Sequence, residues 1–329
     1  MLFVSGQVMT MVPTMNPDIP SPRILSIGSV NIDLTAYSPA LPRAGETIHA
    51  TRYATGLGGK GANQAAACAR LAGAACGVAL VGRVGKDAFG TQARESLSKF
   101  GTDCRWLSDD AGNGTGLALI GIDARGENCI TVIGASNMAV DVGDLDRAQA
   151  AIAGARVVML QLEIPMPAVI EAARRARAAG AIVLLDPAPA PHDGLPDALW
   201  AEIDVVTPNE TETERLVGLR PRDAAQAADA GAALRAKGAR AAVVKLGANG
   251  VYWCDATGSG FIHPFAVTAI DTVAAGDCFN AGLALSLSEG RPLGQAVRFA
   301  AACGALATTK RGAADAAPER AEVEALLLT

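Results

Sequence analysis

The chain has 329 residues with a formal net charge of −5, and 50% of them are hydrophobic but only 4% are aromatic. An acidic chain without a Lys/Arg-rich run does not suit nucleic acid or an anionic membrane surface. Few aromatic residues leave little on which bases could stack, and no segment reaches the roughly 18 uninterrupted apolar residues of a membrane helix. We therefore expect a cytoplasmic protein without a nucleic-acid or membrane partner.

The seven cysteines are scattered and form no C-x-x-C pair; they lie at positions 68, 76, 104, 129, 254, 278 and 303. This pattern predicts small apolar core residues in a reducing compartment, with neither a disulfide framework nor a zinc site. Residues 1–22 have an apolar start but no basic region, and Pro13 interrupts the run. We expect a disordered extension here and not a secretory signal.

The first predicted strand covers the short apolar run from Arg23 to Val30, and the polar side chains of Asn31 and Asp33 follow it. In open α/β sheets, ligands bind at the carboxyl ends of strands. Asn31 and Asp33 are therefore candidate ligand contacts. A simple turn is the alternative, because Asn and Asp are common turn residues.

Three segments interleave polar and apolar residues, as strands exposed on one face do: 47–55, 115–122 and 128–133. The last two are joined by Asp123 to Glu127, which is a hairpin signal. We interpret these segments as a small β-sheet, covering about 34–57 and 113–135, that serves as a lid or a dimerisation surface.

Elsewhere, strands alternate with helices. The predicted strands are 78–81, 157–162, 181–185, 204–206, 241–246, 250–254 and 259–267, and the predicted helices are 62–72, 89–100, 166–179, 223–237, 277–289, 294–309 and 318–328. Such alternation predicts an α/β fold in which a mainly parallel sheet lies between two layers of helices. We assign residues 23–320 to this domain and 318–329 to its C-terminal helix.

Gly56 to Gly61 formally matches the dinucleotide motif G-x-G-x-x-G. That motif needs a buried strand before it and an acidic residue about 20 positions on, but the preceding strand is half polar and the next acid is Asp87. The segment also does not match the P-loop motif, in which Ser or Thr follows the lysine, because Gly61 follows Lys60 here. What remains is a loop that a ligand can approach closely, with Lys60 and Asn63 able to hold hydroxyl groups; a structural turn before a helix is the alternative.

Polar groups also follow later strands, and each has a structural alternative. Asn209 and Glu212 offer the oxygen atoms that Mg²⁺ prefers, or they cap a helix with an acidic first turn. The turn from Lys245 to Gly250 either connects two strands of a hairpin or contacts a nucleotide phosphate. Glu163 ends an apolar strand, either in a ligand crevice or as a solvated edge carboxylate.

The segment from Asp271 to Asn280 joins a strand to a helix through small residues. Ala274, Ala275 and Gly276 allow close approach of a ligand, and unpaired N–H groups at a helix start favour an anion such as phosphate. A carboxylate at that start, Asp277, either caps the helix or acts as general base for a hydroxyl that attacks phosphorus.

These segments occur together in the order typical of one family. The chain from Arg23 to Ala316 resembles the PfkB (ribokinase) family of carbohydrate kinases, whose two diagnostic segments match Gly58 to Asn63 and Asp271 to Asp277. Four shorter segments resemble the family members that act on ribose: Asn31 to Asp33, Gly59 to Gln64, Gln161 to Glu163 and Asp186 to Ala190. The resemblance implies a ribokinase-like three-layer α/β/α sandwich with a β lid.

The resemblance implies transfer of the γ-phosphate of ATP to the 5-hydroxyl of D-ribose, with Asp277 as the base and the backbone of Ala274, Ala275 and Gly276 as the anion hole. The implied sugar contacts are Asn31, Asp33, Gly59, Lys60, Asn63, Glu163 and Asp277, with Val132 over the apolar face of the sugar. The implied nucleotide contacts are Asn209, Lys245, Gly247, Gly250 and Gly276. Asn209 and Glu212 would hold Mg²⁺ through water.

The family pattern also implies an activating K⁺ ion beside the anion hole, and the matching positions are Asp271, Val273, Ala307 and Gly312. Two positions depart from the pattern. Ala316 replaces a hydroxyl-bearing cation ligand, so that this ligand is lost or replaced by water. Ala248 replaces a Ser common in the nucleotide turn and keeps its N–H. The resemblance further implies a homodimer formed through the β lid.

Other activities remain as alternatives. The same base and fold would serve a family member that acts on fructose, deoxyribose or a nucleoside such as pseudouridine, although a nucleoside pocket calls for aromatic residues and these are few. An inactive sugar-binding regulator should have lost Asp277 or the anion hole, and both are intact. An NAD-dependent oxidoreductase fails on the context of the glycine motif.

Overall fold

A central sheet organises the structure, a computed structural model that describes residues 22–329. Within this range the sheet has nine strands: β1 (Ile24–Ile27), β4 (Val78–Gly85), β5 (Leu107–Asp110), β8 (Val157–Leu160), β9 (Ile182–Leu185), β10 (Val205–Val206), β11 (Ala241–Lys245), β12 (Val251–Cys254) and β13 (Ser259–Ile262). Their spatial order is β13-β12-β11-β10-β9-β8-β1-β4-β5. The strands from β5 to β11 pair in parallel, and β12 and β13 pair antiparallel. The predicted extension, residues 1–22, lies outside the described residues except for Pro22.

A smaller sheet stands at the carboxyl end of β1, because its first strand continues the chain directly from β1. Its strands are β2 (Asn31–Tyr37), β3 (Arg52–Gly58), β6 (Gly116–Ile122) and β7 (Asn128–Ile133), in the order β3-β2-β6-β7. β2 pairs in parallel with β6, and the other two pairs are antiparallel. This is the predicted lid, and the predicted hairpin is formed by β6 and β7.

Helices cover both faces of the central sheet. They are α1 (Lys60–Ala72), α2 (Ala88–Lys99), α3 (Val142–Arg147), α4 (Gln149–Gly154), α5 (Met166–Ala178), α6 (Asp197–Trp200), α7 (Glu210–Val217), α8 (Ala224–Ala236), α9 (Ala275–Ser288), α10 (Leu293–Ala307) and α11 (Arg320–Leu327). Side chains alternate across a strand, so Ile24 joins the core beneath α1, α2, α9, α10 and α11, and Leu25 joins the core beneath α3 to α8. The predicted three-layer fold is confirmed.

The direction of the chain reverses beside β1. From β1 the chain builds β4 and β5 on one side, and it then crosses to build β8 through β13 on the other. The gap between the carboxyl ends of β1 and β8 is therefore a topological switch point, where open α/β sheets bind their ligands. No helix within residues 22–329 is long and apolar enough to cross a membrane.

Several predicted strands have wrong bounds, and the strand predicted over 78–81 runs on to Gly85. The strand predicted over 47–55 runs instead over Arg52–Gly58, so the first glycines of the predicted loop belong to a strand. Gly58 pairs with Asn31, and a Cβ on Gly58 would lie 1.9 Å from an oxygen of Asp33, so only glycine lets this strand pass the carboxylate. The strand predicted over 259–267 ends at Ile262. Pro264 follows, and it has no N–H to donate to a sheet.

The prediction that the cysteines are core residues holds for four of the seven. Cys68, Cys254, Cys278 and Cys303 are buried, two others are half-buried, and Cys129 is exposed on β7. All seven are free thiols.

We expect Gly61→Ala to destabilise the protein. A Cβ on Gly61 would lie 2.6 Å from the backbone of Gly28 and Ser29, because α1 begins directly against the end of β1. Such overpacking costs about 1–3 kcal/mol, measurable by urea or thermal unfolding. The control is Gly258→Ala, since a Cβ there has nothing within 4 Å. Equal stability of the two variants would contradict this account of the packing.

Candidate active site

Asp277 lies in the first turn of α9, and its side chain is buried. Asn63 Nδ2 donates to Asp277 Oδ2 at 3.2 Å, and Gln64 Nε2 donates to Asp277 Oδ1 at 3.1 Å. The N-cap of α9 is Ala274, and no side chain makes a capping hydrogen bond. The alternative in which Asp277 caps the helix is therefore wrong, because both of its oxygens face α1.

The start of α9 leaves backbone donors free. Ala274 has a φ of 56°, in the left-handed region that residues other than glycine seldom adopt. Of the predicted anion-hole donors, Ala275 N donates to Thr272 O at 3.3 Å and is occupied, whereas the N–H groups of Gly276 and of the neighbouring Asp277 have no acceptor within the described residues. Lys245 Nζ lies 3.7 Å from where a Cβ on Gly276 would stand. Unpaired N–H groups, a helix dipole and an ammonium group together favour an anion at this position.

Glu163, which follows β8, ties three segments together across the switch point. Ser29 Oγ donates to Glu163 Oε2 at 2.5 Å, and Lys60 N donates to the same oxygen at 2.9 Å. The alternative of a solvated edge carboxylate is wrong. Gly59 precedes Lys60 with a φ of 84°, and a Cβ on it would lie 2.8 Å from the Asn31 N atom. The glycine loop thus lies directly against the chain that leaves β1.

Asn31 and Asp33 begin β2, so they are strand residues and the alternative of a turn is wrong. Asn137 Nδ2 donates to Asn31 Oδ1 at 2.8 Å. The half-buried Asp33 carboxylate accepts no hydrogen bond from residues 22–329. Burial raises the pKa of Asp33 to about 6, and the charges of Glu163 and Asp277 add to the rise. A carboxylate left without a partner beside two others is typical of a ligand site.

Val132 lies on β7, at the edge of the lid, and is 57% exposed. Asp33 pairs with Ala118, and Ala118 pairs with Val132. Directly paired residues point to the same face of a sheet, so Val132 and Asp33 lie on one face of the lid.

Asp186, which follows β9, joins the two lysines of the site. Lys60 Nζ lies 3.6 Å from Asp186 Oδ2, and Lys245 Nζ lies 3.3 Å from Asp186 Oδ1. Gln64 Nε2 also donates to Asp186 Oδ2 at 3.0 Å, so the Gln64 amide bridges Asp186 and Asp277. We assigned no role to either residue from the sequence. The position of Asp186 at the carboxyl end of an apolar strand is the signal that could have found it.

The charges of this cluster shift one another's pKa values. Burial alone would raise the pKa of Asp186, but Lys245 and Lys60 outweigh it and lower that pKa. Burial would lower the pKa of Lys60, but the carboxylates around it, Asp186 foremost, raise it. For Asp277, burial raises the pKa, and Lys60 opposes this while Asp186 adds to it. Asp277 is therefore a stronger base than a free aspartate.

The structural alternatives for the segments 209–212 and 245–250 are confirmed. Asn209 Oδ1 accepts from Glu212 N and Glu212 Oε2 accepts from Asn209 N, each at 2.8 Å, which is a capping box at the start of α7. Burial raises the pKa of Glu212; Lys245 opposes the rise. The turn from Gly247 to Gly250 joins antiparallel β11 and β12 as a hairpin. Neither finding tests the predicted roles in ligand binding.

Two predicted cation ligands, Asp271 and Val273, lie in the turn before α9; Ala307 is the last residue of α10, and Gly312 lies in the turn after it. Asp271 Oδ1 accepts from Val273 N at 3.0 Å, and Asp271 Oδ2 accepts from Gly312 N at 3.2 Å. Asp271 N donates to Thr308 O, next to Ala307. Asp271 thus holds together the turn before α9 and the turn after α10.

A buried carboxylate that does not cap its helix, free N–H groups at the helix start and two lysines are the groups that phosphoryl transfer needs. Comparison with known proteins agrees, because residues 21–320 match the pfkB family carbohydrate kinases. The chain therefore belongs to the pfkB family and is a carbohydrate kinase.

Three relatives illustrate the similarity. The ribokinase of Haemophilus influenzae is 36% identical over 296 residues, which cover 90% of this chain and 95% of the relative. The deoxyribokinase of Salmonella typhi is 31% identical over 295 residues, which cover 90% and 95%. The structure of Arabidopsis thaliana ribokinase complexed with ribose and ATP matches with a TM-score of 0.85 at 33% identity, covering 93% of this chain and 99% of that chain.

We expect Asp33→Asn to stabilise the ligand-free protein at pH 7.5. A carboxylate whose pKa is raised by folding favours the native state when it is protonated, so this stability is lost as the pH rises from about 4 through 6. Asparagine has no charge to bury, so the melting temperature should rise by about 2–4 °C at pH 7.5, the shift that about 1 kcal/mol produces in a large domain. The gain should shrink at pH 4.5.

Asp193→Asn is the matched control, because Asp193 is exposed. If the melting temperatures of Asp33→Asn and the wild type are equal at both pH values, the charge of Asp33 does not destabilise the native state.

Proposed function

We propose that this kinase transfers the γ-phosphate of ATP to the 5-hydroxyl of D-ribose, giving D-ribose 5-phosphate and ADP. The observation that carries the proposal is Asp277, a buried carboxylate that does not cap its own helix and lies beside free N–H groups at the helix start. The similarity to ribokinases over nine-tenths of the chain supports ribose as the sugar.

Asp277 would accept the proton of the 5-hydroxyl as that oxygen bonds to the γ-phosphorus and the bond to the ADP oxygen breaks. Phosphoryl transfer needs positioning and charge stabilisation more than covalent chemistry. Gly276 N, Asp277 N and Lys245 Nζ would offset the negative charge on the transferring group. Burial raises the pKa of Asp277 toward the working pH, which suits a general base.

Polar groups around Asp277 fit a sugar rich in hydroxyl groups. Asn63 Oδ1 is buried and has no hydrogen-bond partner in the described part of the chain, so it can accept from a sugar hydroxyl. Leaving such an atom unpaired costs about 1–3 kcal/mol, which sugar binding would relieve. Asp33 is a second acceptor without a partner, and Glu163, Asn31, Gly59 and Lys60 border the same crevice. Val132 would close it from the lid.

The nucleotide would lie beside Lys245, with Gly247, Gly250 and Asn209 around its phosphates. The carboxylate of Glu212 and the amide of Asn209 supply hard oxygen donors, which fit Mg²⁺. Burial raises the pKa of Glu212, and a nearby divalent cation would offset that penalty. When bound, Mg²⁺ would neutralise phosphate charge, and these two residues would hold it through water.

A monovalent cation fits the turns joined by Asp271. Its carboxylate and the backbone carbonyl groups of Val273, Ala307 and Gly312 are oxygen donors, and they border the turn that carries the anion hole. We propose that K⁺ bound there would order this turn. Ala316 is fully buried and contributes no hydroxyl oxygen, so activation should be weaker than with a full ligand set.

We also propose a homodimer through the lid. Exposed apolar side chains of the lid line a cavity of about 670 Å³: Ile48, Tyr53 and Leu119, together with Leu34 and Leu41. Leu34 follows Asp33 in β2, so this cavity lies on the face of the lid opposite Asp33 and Val132. Contiguous apolar surface of this kind marks interaction sites on soluble proteins.

The test of the function is ATP-dependent phosphorylation of D-ribose, 2-deoxyribose, fructose, adenosine and pseudouridine, with Mg²⁺ and with either K⁺ or Na⁺. Selective turnover of ribose supports the proposal, and the ratio of rates in K⁺ and Na⁺ reports the cation site. Preference for 2-deoxyribose would favour the alternative raised by the similarity to a deoxyribokinase. Preference for a hexose or nucleoside would overturn the sugar assignment and keep the kinase.

We expect Asp277→Asn to lower kcat by about 10²–10⁴-fold, the usual contribution of a general base. Asparagine keeps the size of the side chain but cannot take the proton, so the affinity for ribose measured by calorimetry should change much less than kcat. Asp193→Asn again serves as the control. Turnover near the wild-type rate in Asp277→Asn would remove Asp277 from the mechanism.

We expect Leu119→Asp to dissociate the dimer. Leu119 lies on β6, is 42% exposed and lines the apolar cavity on the lid; burying an unpaired charge in such an interface is unfavourable. Sedimentation velocity would compare this variant with Leu219→Asp, which changes an exposed leucine that follows α7 and lies outside the lid strands. Identical sedimentation of both variants and the wild type would rule out a dimer through this surface.

A further inference from the structure

Asp186 is a fully buried carboxylate to which the proposed mechanism gives no task. It lies between the two halves of the site, with Lys60 on one oxygen and Lys245 on the other. The lysine side chains have different surroundings. Lys60 belongs to the glycine loop, and its N–H is held by Glu163 on the proposed sugar side. Lys245 ends β11 and approaches Gly276 on the proposed nucleotide side.

A chain of hydrogen bonds connects Asp186 to the proposed base. Gln161 Nε2 donates to Gln64 Oε1 at 2.7 Å, which leaves Gln64 Nε2 as the end that reaches both carboxylates. The Gln64 amide is therefore fixed in orientation by Gln161. Gln64 Nε2 donates to Asp186 and to Asp277 at nearly equal distances. A displacement of the Asp186 carboxylate would therefore also move the nitrogen that donates to Asp277.

We propose that Asp186 is a positioning residue for phosphoryl transfer: its carboxylate holds Lys60 toward the sugar and Lys245 toward the phosphates, and through Gln64 it orients Asp277. The inference deepens the proposed function and rests on Asp277 being the base. Asp186 itself touches neither of the proposed reacting groups; it acts through the two lysines and Gln64.

The charge of Asp186 also acts on Asp277. The charged and titratable groups that face Asp277 are Lys60 on α1, Asp33 on β2, Lys245 on β11, Asp186 after β9, and the neighbouring thiol Cys278. Lys60 lowers the pKa of Asp277, and Asp186 raises it. Removing the charge of Asp186 leaves Lys60 less opposed, so we expect the pKa of Asp277 to fall.

A buried ion pair can also serve stability alone, and the two roles predict different kinetics. In Asp186→Asn, positioning predicts that kcat/KM for the sugar falls by about tenfold or more, and that the acid limb of its pH profile moves to lower pH. A purely structural role predicts a lower melting temperature with the acid limb unmoved. The pH profile is therefore the decisive measurement.

The matched control is Asp204→Asn. Asp204 is also a largely buried carboxylate, which accepts from Val183 N and pairs with Arg240 at 3.0 Å, but it lies at the amino end of β10. Asp204→Asn should lower stability and leave the acid limb in place. An unmoved acid limb in Asp186→Asn, or an equal shift in both variants, would overturn the proposal.

Gln64→Met keeps the test decisive if Asp186→Asn does not fold. Methionine has similar length but cannot bridge the two carboxylates, so kcat should fall about tenfold while the affinity for a non-hydrolysable ATP analogue is retained. An unchanged kcat would overturn the proposal. The pH profile and kcat are measured with whichever substrate of the panel the wild-type protein phosphorylates. The test of Asp186 therefore does not depend on ribose being the sugar. A wild-type protein that phosphorylates none of them would instead contradict the proposed function.

Discussion

The site depends on opposite charges buried together at the carboxyl edge of a parallel sheet. Asp186 sits between Lys60 and Lys245, and Gln64 links it to Asp277. A buried carboxylate without partners would be protonated or would unfold its surroundings, since an unpaired buried charge is very costly. Two lysines keep Asp186 ionised, and its charge keeps both lysine side chains in place. The position of the Asp277 carboxylate, the proposed base, therefore depends on the neighbouring ion cluster.

That cluster can form only because the backbone comes very close to itself around β1. Gly61 lies against Gly28, and Gly58 lies against the carboxylate of Asp33. These contacts bring the start of α1 to the switch point between β1 and β8, where Glu163 accepts from Lys60 N. The glycine segment thus allows α1 and β3 to pack closely against the chain around β1. It presents Lys60 and Asn63 to the crevice because no Cβ atoms separate the helix from the strand.

Several polar groups without partners lie where the ligands are proposed to bind. Asn63 Oδ1 is buried without a donor, the half-buried Asp33 carboxylate accepts no hydrogen bond, and the N–H groups of Gly276 and Asp277 have no acceptor among the residues that the structure describes. Native proteins pair nearly all buried polar atoms. A group of exceptions in one crevice indicates partners that arrive with the substrates. The free protein is therefore less stable than it would be with these atoms paired, and the atoms are available to bind a ligand.

The sequence by itself determined the layered fold, the lid hairpin and the family, because hydrophobic alternation and two dense motifs are local properties of the chain. It also identified Asp277 and Glu163 as candidates, but it could not exclude their structural alternatives. Only the tertiary structure decided that both oxygens of Asp277 face α1, that β3 extends to Gly58, and that Asp186 and Gln64 belong to the site. The contacts of Asp277 and Gln64 join residues more than 100 positions apart, and the end of β3 is set by its pairing with Asn31 on another strand. Hydrophobic patterning within one segment carries no information about which side chain of another segment will lie across from it.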